Sequence, residues 1–322
     1  MTWELAGASL KLIMAGMEPV KDAPLAKFGY WRVGGPADLF VNVQSEGQLA
    51  AVMETDLPVT VLGNGSNLLV ADEGIRGIVI RLKGRFTEVV YRDPSQPKAG
   101  LLDHLPSGSG MAIVGAGIMN NVLLNRLHKS KVGGLGCLTG VPGTLGGAIR
   151  MNAGTRMGEI GEKVAFVRVM LPNGTIETLA PDALDFRYRK ATLPEGAIVT
   201  RVGLWVSRDG YEEERIAMAE HLEYRKDTQP LDQPSCGSTF KNPSGDHAGR
   251  LIDAAGLKGA TEGGAKISEK HANFFVNTGN ATAMELYTLI KYAKDTVQEQ
   301  FGVTLEPEVH AVGDWPEGLW PL

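Results

Sequence analysis

The sequence predicts an α+β chain: a strand-rich stretch over residues 27–206, a compact α+β domain over 207–314, an extension at 1–26 and a tail at 315–322. Three observations carry this. From residue 27 to about 206, apolar residues come in short runs separated by Gly, Pro and Asn, with few helical patterns. Near the C-terminus, residues 283–301 repeat apolar side chains at helical spacing between two strand-like segments. Finally, 41 of the 322 residues are glycine, well above the roughly 7% of an average protein, while 43% of the chain is hydrophobic. Those glycines therefore punctuate folded loops rather than mark disorder.

Along the chain, residues 1–27 read as a surface extension. Asp38–Val43, Pro58–Leu62, Gly77–Leu82, Thr87–Tyr91 and Ala112–Gly115 are β-rich. Ser45-Glu-Gly-Gln48 is a capping-box pattern that opens a short helix. Pro94–Gly110, rich in Pro, Ser and Gly, is expected to be a surface loop. Met119–Lys129 places Leu123, Leu124 and Leu127 on one helical face. Val164–Leu171 and Thr175–Leu179 flank Pro172-Asn173-Gly174, a hairpin turn signal. Tyr211–Lys226 is a charged helix leading into the second domain. In the last helix, Ala283–Phe301, the apolar stripe is Leu286, Leu289, Ile290, Ala293, Val297 and Phe301; Thr282 with Glu285 caps its start and Gly302 its end. Strands are expected at Asn273–Asn277 and Thr304–Val312.

Composition narrows the function. The formal charge of −5 offers no basic field for nucleic acid. Cys137 and Cys236 are too few for a disulfide framework or a cysteine-rich metal site, and no metal is expected. No apolar run is long enough to span a membrane, and the N-terminal stretch lacks the basic start and cleavage site of a leader. The expectation is a cytoplasmic protein.

Gly133–Gly154 contains eight glycines and little charge. Such a backbone tolerates φ > 0 and lets a ligand lie directly on main-chain N–H groups, which suits a phosphate or diphosphate. A second loop, Gly63-Asn-Gly-Ser-Asn67, lies between apolar runs. Neither fits the dinucleotide fingerprint, which needs a third glycine and a following helix, nor the P-loop, which ends in Lys-Ser/Thr. Three further clusters carry chemistry. Pro234–Pro243 packs Ser235, Cys236, Ser238, Lys241 and Asn242 between prolines; taken alone it is a polar turn, yet the Ser238 hydroxyl suits a proton donor if a strong base forms beside it. Phe186-Arg-Tyr-Arg189-Lys190 is a solvated cationic stretch or a guanidinium held for a carboxylate or developing oxyanion. Leu305-Glu-Pro-Glu308 puts Glu306 and Glu308 on one face of a strand-like segment; both read as solvent-exposed, and His271 by itself reads as structural.

In their order, the segments 31–38, 62–69, 140–148, 151–154, 186–189, 237–243 and 305–308 resemble the motifs of the UDP-N-acetylenolpyruvoylglucosamine reductases, flavoenzymes of bacterial peptidoglycan synthesis. Each motif alone is weak; seven in sequence are specific. The resemblance spans residues 27–313 and implies the FAD-binding α+β fold of vanillyl-alcohol-oxidase-like (PCMH-like) flavoproteins, with two subdomains plus a C-terminal substrate domain. It implies non-covalent FAD held by Leu62, Gly63, Asn64, Gly65, Ser66, Asn67, Leu68, Gly140, Pro142, Gly143, Thr144, Gly146, Gly147, Ala148, Asn152, Ala153, Gly154 and Ile198. NADPH is the implied hydride donor, and UDP-N-acetylglucosamine enolpyruvate the substrate, contacted by Tyr188, Arg225, Gly237, Lys241, Asn242 and His271. Arg189 and Glu308 match the pair that stabilises the enolate formed by hydride transfer, and Ser238 matches the proton donor, with Lys241 placed to assist. A monomer or weak oligomer is expected.

Pro234–Ser238 resembles the shorter, type II form of the enzyme. Thr228 stands where many relatives carry a diphosphate-contacting lysine, leaving Arg225, Lys226 and Lys241 as anchors. Gly136 stands where glutamate is usual. Two other readings compete: a sugar or alcohol oxidase or dehydrogenase on the same fold, with Cys137 a point of covalent flavin attachment, and a non-catalytic UDP-sugar or flavin-binding regulator. The first does not need the set of Arg189, Ser238 and Glu308, and the second should have lost part of it.

Overall fold

The amphipathic pattern near the C-terminus forms the helix Ala283–Phe301 in the computed structural model, which describes residues 3–92 and 109–319. Its stripe residues Leu286, Leu289, Ile290, Ala293 and Val297 are buried, each large side chain contributing about 1.5–3 kcal/mol when removed from water; Phe301, at its end, stays exposed. Both hydrogen bonds of the Thr282–Glu285 capping box form, and Gly302 ends the helix in the left-handed region with φ 69°. A further acceptor was not legible locally: Asp72 takes the N–H groups of Ala283 (2.8 Å) and Met284 (2.9 Å). The helix start thus has Thr282, Glu285 and Asp72 for its orphan donors.

Contacts divide the chain into two units, each assembled from three stretches. The first comprises Met1–Pro19, Val41–Gly63 and Ile80–Glu223; the second comprises Val20–Phe40, Asn64–Val79 and Tyr224–Leu322.

In the first unit, five antiparallel strands run in the order Ile176–Leu179, Val164–Met170, Ile198–Ser207, Ser109–Gly115, Val89–Arg92. The hairpin at Asn173-Gly174 forms as expected, with Gly174 at φ 80°. The helix Asn120–Lys129 buries Leu123, Leu124 and Leu127. Ser45 caps Glu46–Met53, although the reciprocal bond is shifted: Gln48 Oε1 accepts from Gln44 N–H at 2.8 Å rather than from Ser45. The first residues are ordered into a helix, Trp3–Met14, which buries Leu12 and donates from Lys11 Nζ to Glu54 O (2.7 Å). The loop expected over 94–110 lies mostly outside the described residues; Gly110 belongs to the strand Ser109–Gly115.

In the second unit, Val20–Pro24 pairs with the start of Pro36–Val43. A three-stranded sheet of Thr261–Glu262, Ala265–Ile267 and Phe275–Asn277 packs with the long helix. Its core includes Trp31, Phe240, Leu251, Ile252, Phe275 and Leu305. Trp31 is tied in on both sides: its Nε1 donates to Phe275 O (2.7 Å) and its carbonyl accepts from Asn277 Nδ2 (2.7 Å). Of the strand expected over 304–312, only His310–Val312 is regular, pairing in parallel with Leu68–Val70. Pro307 has no N–H to donate, so residues 305–308 join the unit through one isolated bridge, Phe240–Pro307, and its flanking bonds instead.

Asp72→Ala leaves two helix-start donors without their acceptor. The expected cost is about 1–2 kcal/mol, read as a lower urea midpoint with unchanged slope.

Candidate active site

Leu62 is buried and donates its N–H to Ile80 O at 2.8 Å, which fixes where the strand Val59–Val61 turns into Gly63. A Cβ on Gly63 would stand 2.7 Å from Thr144 Oγ1, so the two glycine loops meet at this point in the first unit. The second loop is held from residues 116–120: Asn120 N–H donates to Gly143 O (3.0 Å), Leu145 N–H to Ile118 O (2.9 Å) and Gly146 N–H to Ala116 O (2.8 Å). Gly140 and Gly143 take φ of 69° and 108°, where any side chain is strained. Thr144 then precedes the helix Leu145–Arg150, which contains Gly146, Gly147 and Ala148. The N–H groups of Gly63 and Gly143 find no acceptor among the described residues, and the buried Thr139 hydroxyl beside the loop likewise has no partner there. Unused N–H donors on a buried Gly143 and a half-buried Gly63 fit a diphosphate.

Asn152 is buried with φ 42°. Its amide donates to Glu159 Oε2 (2.6 Å) and Arg187 O (3.0 Å), and its Oδ1 accepts from Gly161 N–H (2.9 Å). Its side chain therefore clamps neighbouring backbone, including the turn that carries Arg189. In that turn Arg187 and Lys190 exchange two backbone hydrogen bonds, and Arg189 sits at the apex with φ 57°. A non-glycine residue in this region is a strained position that its surroundings must hold. The Arg189 guanidinium lies 5.1 Å from the Tyr188 ring centre. Ala153 and Ile198 are buried; Gly154 pairs in the short hairpin with Gly158–Glu159, where a Cβ would strike Gly158 O.

The second unit carries Asn64–Leu68 and the remaining site residues. Gly65, at φ 61°, packs so closely on Phe28 and Gly29 that a Cβ would fall 2.7 Å from Phe28 O. Asn67 Nδ2 donates to Glu308 O (3.0 Å), and Asn67 O accepts from His310 N–H (3.0 Å). Residues 238–241 run between two segments: Ser238 bridges Phe274, Phe240 bridges Pro307, and Glu308 N–H donates to Thr239 O at 2.8 Å. Ser238 and Glu308 are both half-buried on this adjoining backbone. The arrangement is stitched by Asn273, whose Oδ1 accepts from Phe240 N–H (2.9 Å) and whose Nδ2 returns a bond to Phe240 O (2.8 Å). Asn273 carried no recognisable signal beyond its residue type.

Several expected substrate contacts already have protein partners. The Lys241 ammonium pairs with Glu306, and Asn242 Oδ1 accepts from Ala248 N–H (3.1 Å) at the start of Ala248–Ala254. Arg225 Nε donates to Gln229 Oε1 (2.8 Å), and the Thr228 hydroxyl donates to Tyr224 O (2.7 Å). Gly237 is open, with nothing within 4 Å of an added Cβ. His271 Nδ1 accepts from Asn273 N–H at 3.2 Å, and burial pushes its pKa below 6.5. Burial likewise pushes the Cys137 thiol up to about 12, with Glu214 adding to the effect and Lys163 opposing it. A thiol so held is no nucleophile at neutral pH. Among the described residues no group of three His, Cys, Asp or Glu could hold a metal, and no helix is long and apolar enough to cross a membrane.

Comparison with known proteins agrees in both halves. Residues 37–180 match an FAD binding domain family, and residues 229–312 match the C-terminal domain of UDP-N-acetylenolpyruvoylglucosamine reductase. The reductase of that name from Anaeromyxobacter sp. (strain Fw109-5) is 44% identical, covering 92% of this chain and 90% of the relative. That from Bacillus velezensis is 39% identical, covering 91% and 94%. The crystal structure of the Thermus caldophilus reductase superposes with a TM-score of 0.76 at 39% identity, over 93% of this chain and 99% of that one. p-Cresol methylhydroxylase, at 11% identity and a TM-score of 0.52, shares the fold.

Gly143→Val should abolish FAD binding while leaving the far-UV circular dichroism spectrum intact; full flavin occupancy in that variant would make the loop merely structural. His271 should titrate below 6.5 by NMR. Because its folded value is depressed, its contribution to stability is complete above the unfolded value and is lost as pH falls below it.

Proposed function

The chain belongs to the UDP-N-acetylenolpyruvoylglucosamine reductase family, and we propose that Arg189, Ser238 and Glu308 perform this reaction on UDP-N-acetylglucosamine enolpyruvate. The product is UDP-N-acetylmuramate, a peptidoglycan precursor, made in the cytoplasm by a monomer or weak oligomer. The observation that carries this reading is that the segments bearing Ser238 and Glu308 adjoin in the second unit, where Glu308 N–H donates to Thr239 O, one residue past Ser238. We assign FAD to residues 27–206 and the sugar nucleotide to 207–314. FAD, when bound, supplies the redox chemistry, taking a hydride from NADPH and passing one to the substrate.

Hydride arrival at C3 of the enolpyruvyl group turns C2 and the carboxylate into a dianionic enolate. Arg189 is permanently charged, and its guanidinium suits that carboxylate in two-point contact. Glu308 helps by donating a hydrogen bond from the O–H of its protonated carboxyl or by acting through a neighbour. Ser238 passes its hydroxyl proton to C2 and recovers one from solvent, so the net uptake is one hydride and one proton. A serine is a poor acid in water, yet transfer to a carbanion-like centre runs downhill. Within the loops 63–68 and 140–148, Gly63 and Gly143 would supply backbone N–H donors for the diphosphate of FAD, which needs no covalent link. Tyr188, Arg225, Gly237, Lys241, Asn242 and His271 orient the substrate, with Lys241 exchanging Glu306 for substrate.

Acid precipitation should leave the flavin in the supernatant; flavin retained in the pellet would favour the oxidase reading. Ser238→Ala should leave reduction by NADPH near the wild-type rate and cut turnover by about 10²–10⁴-fold. Cysteine at 238 should keep partial activity. Arg189→Ala should instead slow hydride transfer to substrate. Slow flavin reduction with normal reoxidation in Ser238→Ala would refute the proton-donor role.

A further inference from the structure

Immediately before the second glycine loop, residues 133–136 are held by a side chain from a different element. Glu214, in the fourth position of the helix Tyr211–Thr228, accepts from Gly134 N–H through Oε2 (2.7 Å) and from Gly136 N–H through Oε1 (2.6 Å). Glycine makes room for it at two places, and a third glycine supplies the backbone conformation between them. A Cβ on Gly133 would lie 2.3 Å from Glu214 Oε2, one on Gly136 would lie 2.8 Å from Oε1, and Gly134 takes φ 102°. Gly133 is fixed from its other side by paired backbone hydrogen bonds with Ser207 (2.7 and 3.1 Å). Past Gly136, a tight turn leads into Gly140 through Thr139 N–H to Gly136 O (2.9 Å) and Val141 N–H to Leu138 O (3.0 Å).

The geometry points to Glu214 as a positioning residue for the cofactor loop: its carboxylate fixes the entry of Gly140–Ala148 and thereby sets the affinity for the diphosphate of FAD. This rests on the assignment of that loop to FAD. Two hydrogen bonds to an ionised acceptor are the strong kind, and a glycine-rich segment has little else to define its shape. The same helix is continuous past Glu223, where the first unit ends and the second begins. Glu214 therefore ties the connecting helix to the loop.

The test uses full-length protein stripped of flavin and retitrated with FAD. Glu214→Ala should weaken FAD binding by on the order of ten- to a hundredfold and speed amide exchange in residues 133–139, with the five-stranded sheet unchanged. Acetate, filling the vacated space, should restore affinity in Glu214→Ala but not in Glu214→Gln, whose amide keeps only one acceptor. Gly136→Ala, which pushes the carboxylate aside, should reproduce the loss. Unchanged FAD affinity in Glu214→Ala would overturn the inference. So would weakened affinity with faster exchange throughout the unit and no acetate rescue, which would mark a general stability effect. A wild-type protein that binds no FAD would instead sink the assignment on which it rests.

Discussion

Residues 237–241 and 305–308 form no regular sheet, yet their backbone is packed into the second unit, and buried peptide groups must find partners. An unpaired one costs about 1–3 kcal/mol. Backbone bonds meet part of this need, from Thr239 N–H to Asn273 O, Lys241 N–H to Glu306 O and Glu308 N–H to Thr239 O, and side chains meet the rest. Asn273 closes both polar groups of Phe240, Asn67 holds the carbonyl of Glu308, and Asn277 holds that of Trp31. The first unit follows the same rule, with Asn152 clamping Arg187 and Gly161, and Glu214 clamping Gly134 and Gly136. Side-chain amides and carboxylates thus do for the binding segments what ladder hydrogen bonds do for the strands.

That constraint explains where the groups we propose for the reaction sit. Ser238 and Glu308 lie on segments defined by the Asn273 and Asn67 bonds, and Arg189 lies in a turn whose preceding carbonyl is pinned by Asn152. The left-handed backbone of Arg189 is tolerable only because the turn around it is closed twice, by Arg187 and Lys190. Glycines have the complementary task. At Gly63 and Gly143 the N–H groups have no acceptor among the described residues, and at Gly65 and Gly133 glycine admits another part of the chain.

Much of this was legible in the sequence, because some of it is local. The Ala283–Phe301 helix, its capping box and its glycine stop follow from spacing alone, as do the Asn120–Lys129 face and the Asn173-Gly174 hairpin. The glycine loops were readable as ligand-cradling backbone, whereas roles for Ser238, Arg189 and Glu308 came from the family resemblance and not from the residues alone. Partners distant in sequence were not. Asp72 reaches a helix more than 200 residues away, Glu214 reaches back about 80 residues, and Lys241 finds Glu306. Nothing in the stretch 71–74 announces a helix cap at 283. Nor does local alternation reveal that Thr304–Val312 stays irregular until His310, since that depends on Pro307 lacking a donor and on Leu68–Val70 supplying a parallel edge.

We propose that backbone donors in the two glycine loops hold a flavin that passes reducing equivalents from NADPH to an enolpyruvyl sugar nucleotide. The decisive measurement follows the visible flavin band of the purified wild-type protein without oxygen. One equivalent of NADPH should bleach the band, and UDP-N-acetylglucosamine enolpyruvate should restore it with formation of UDP-N-acetylmuramate. A flavin that stays reduced in the presence of that substrate, and is reoxidised only when oxygen is admitted, would contradict it.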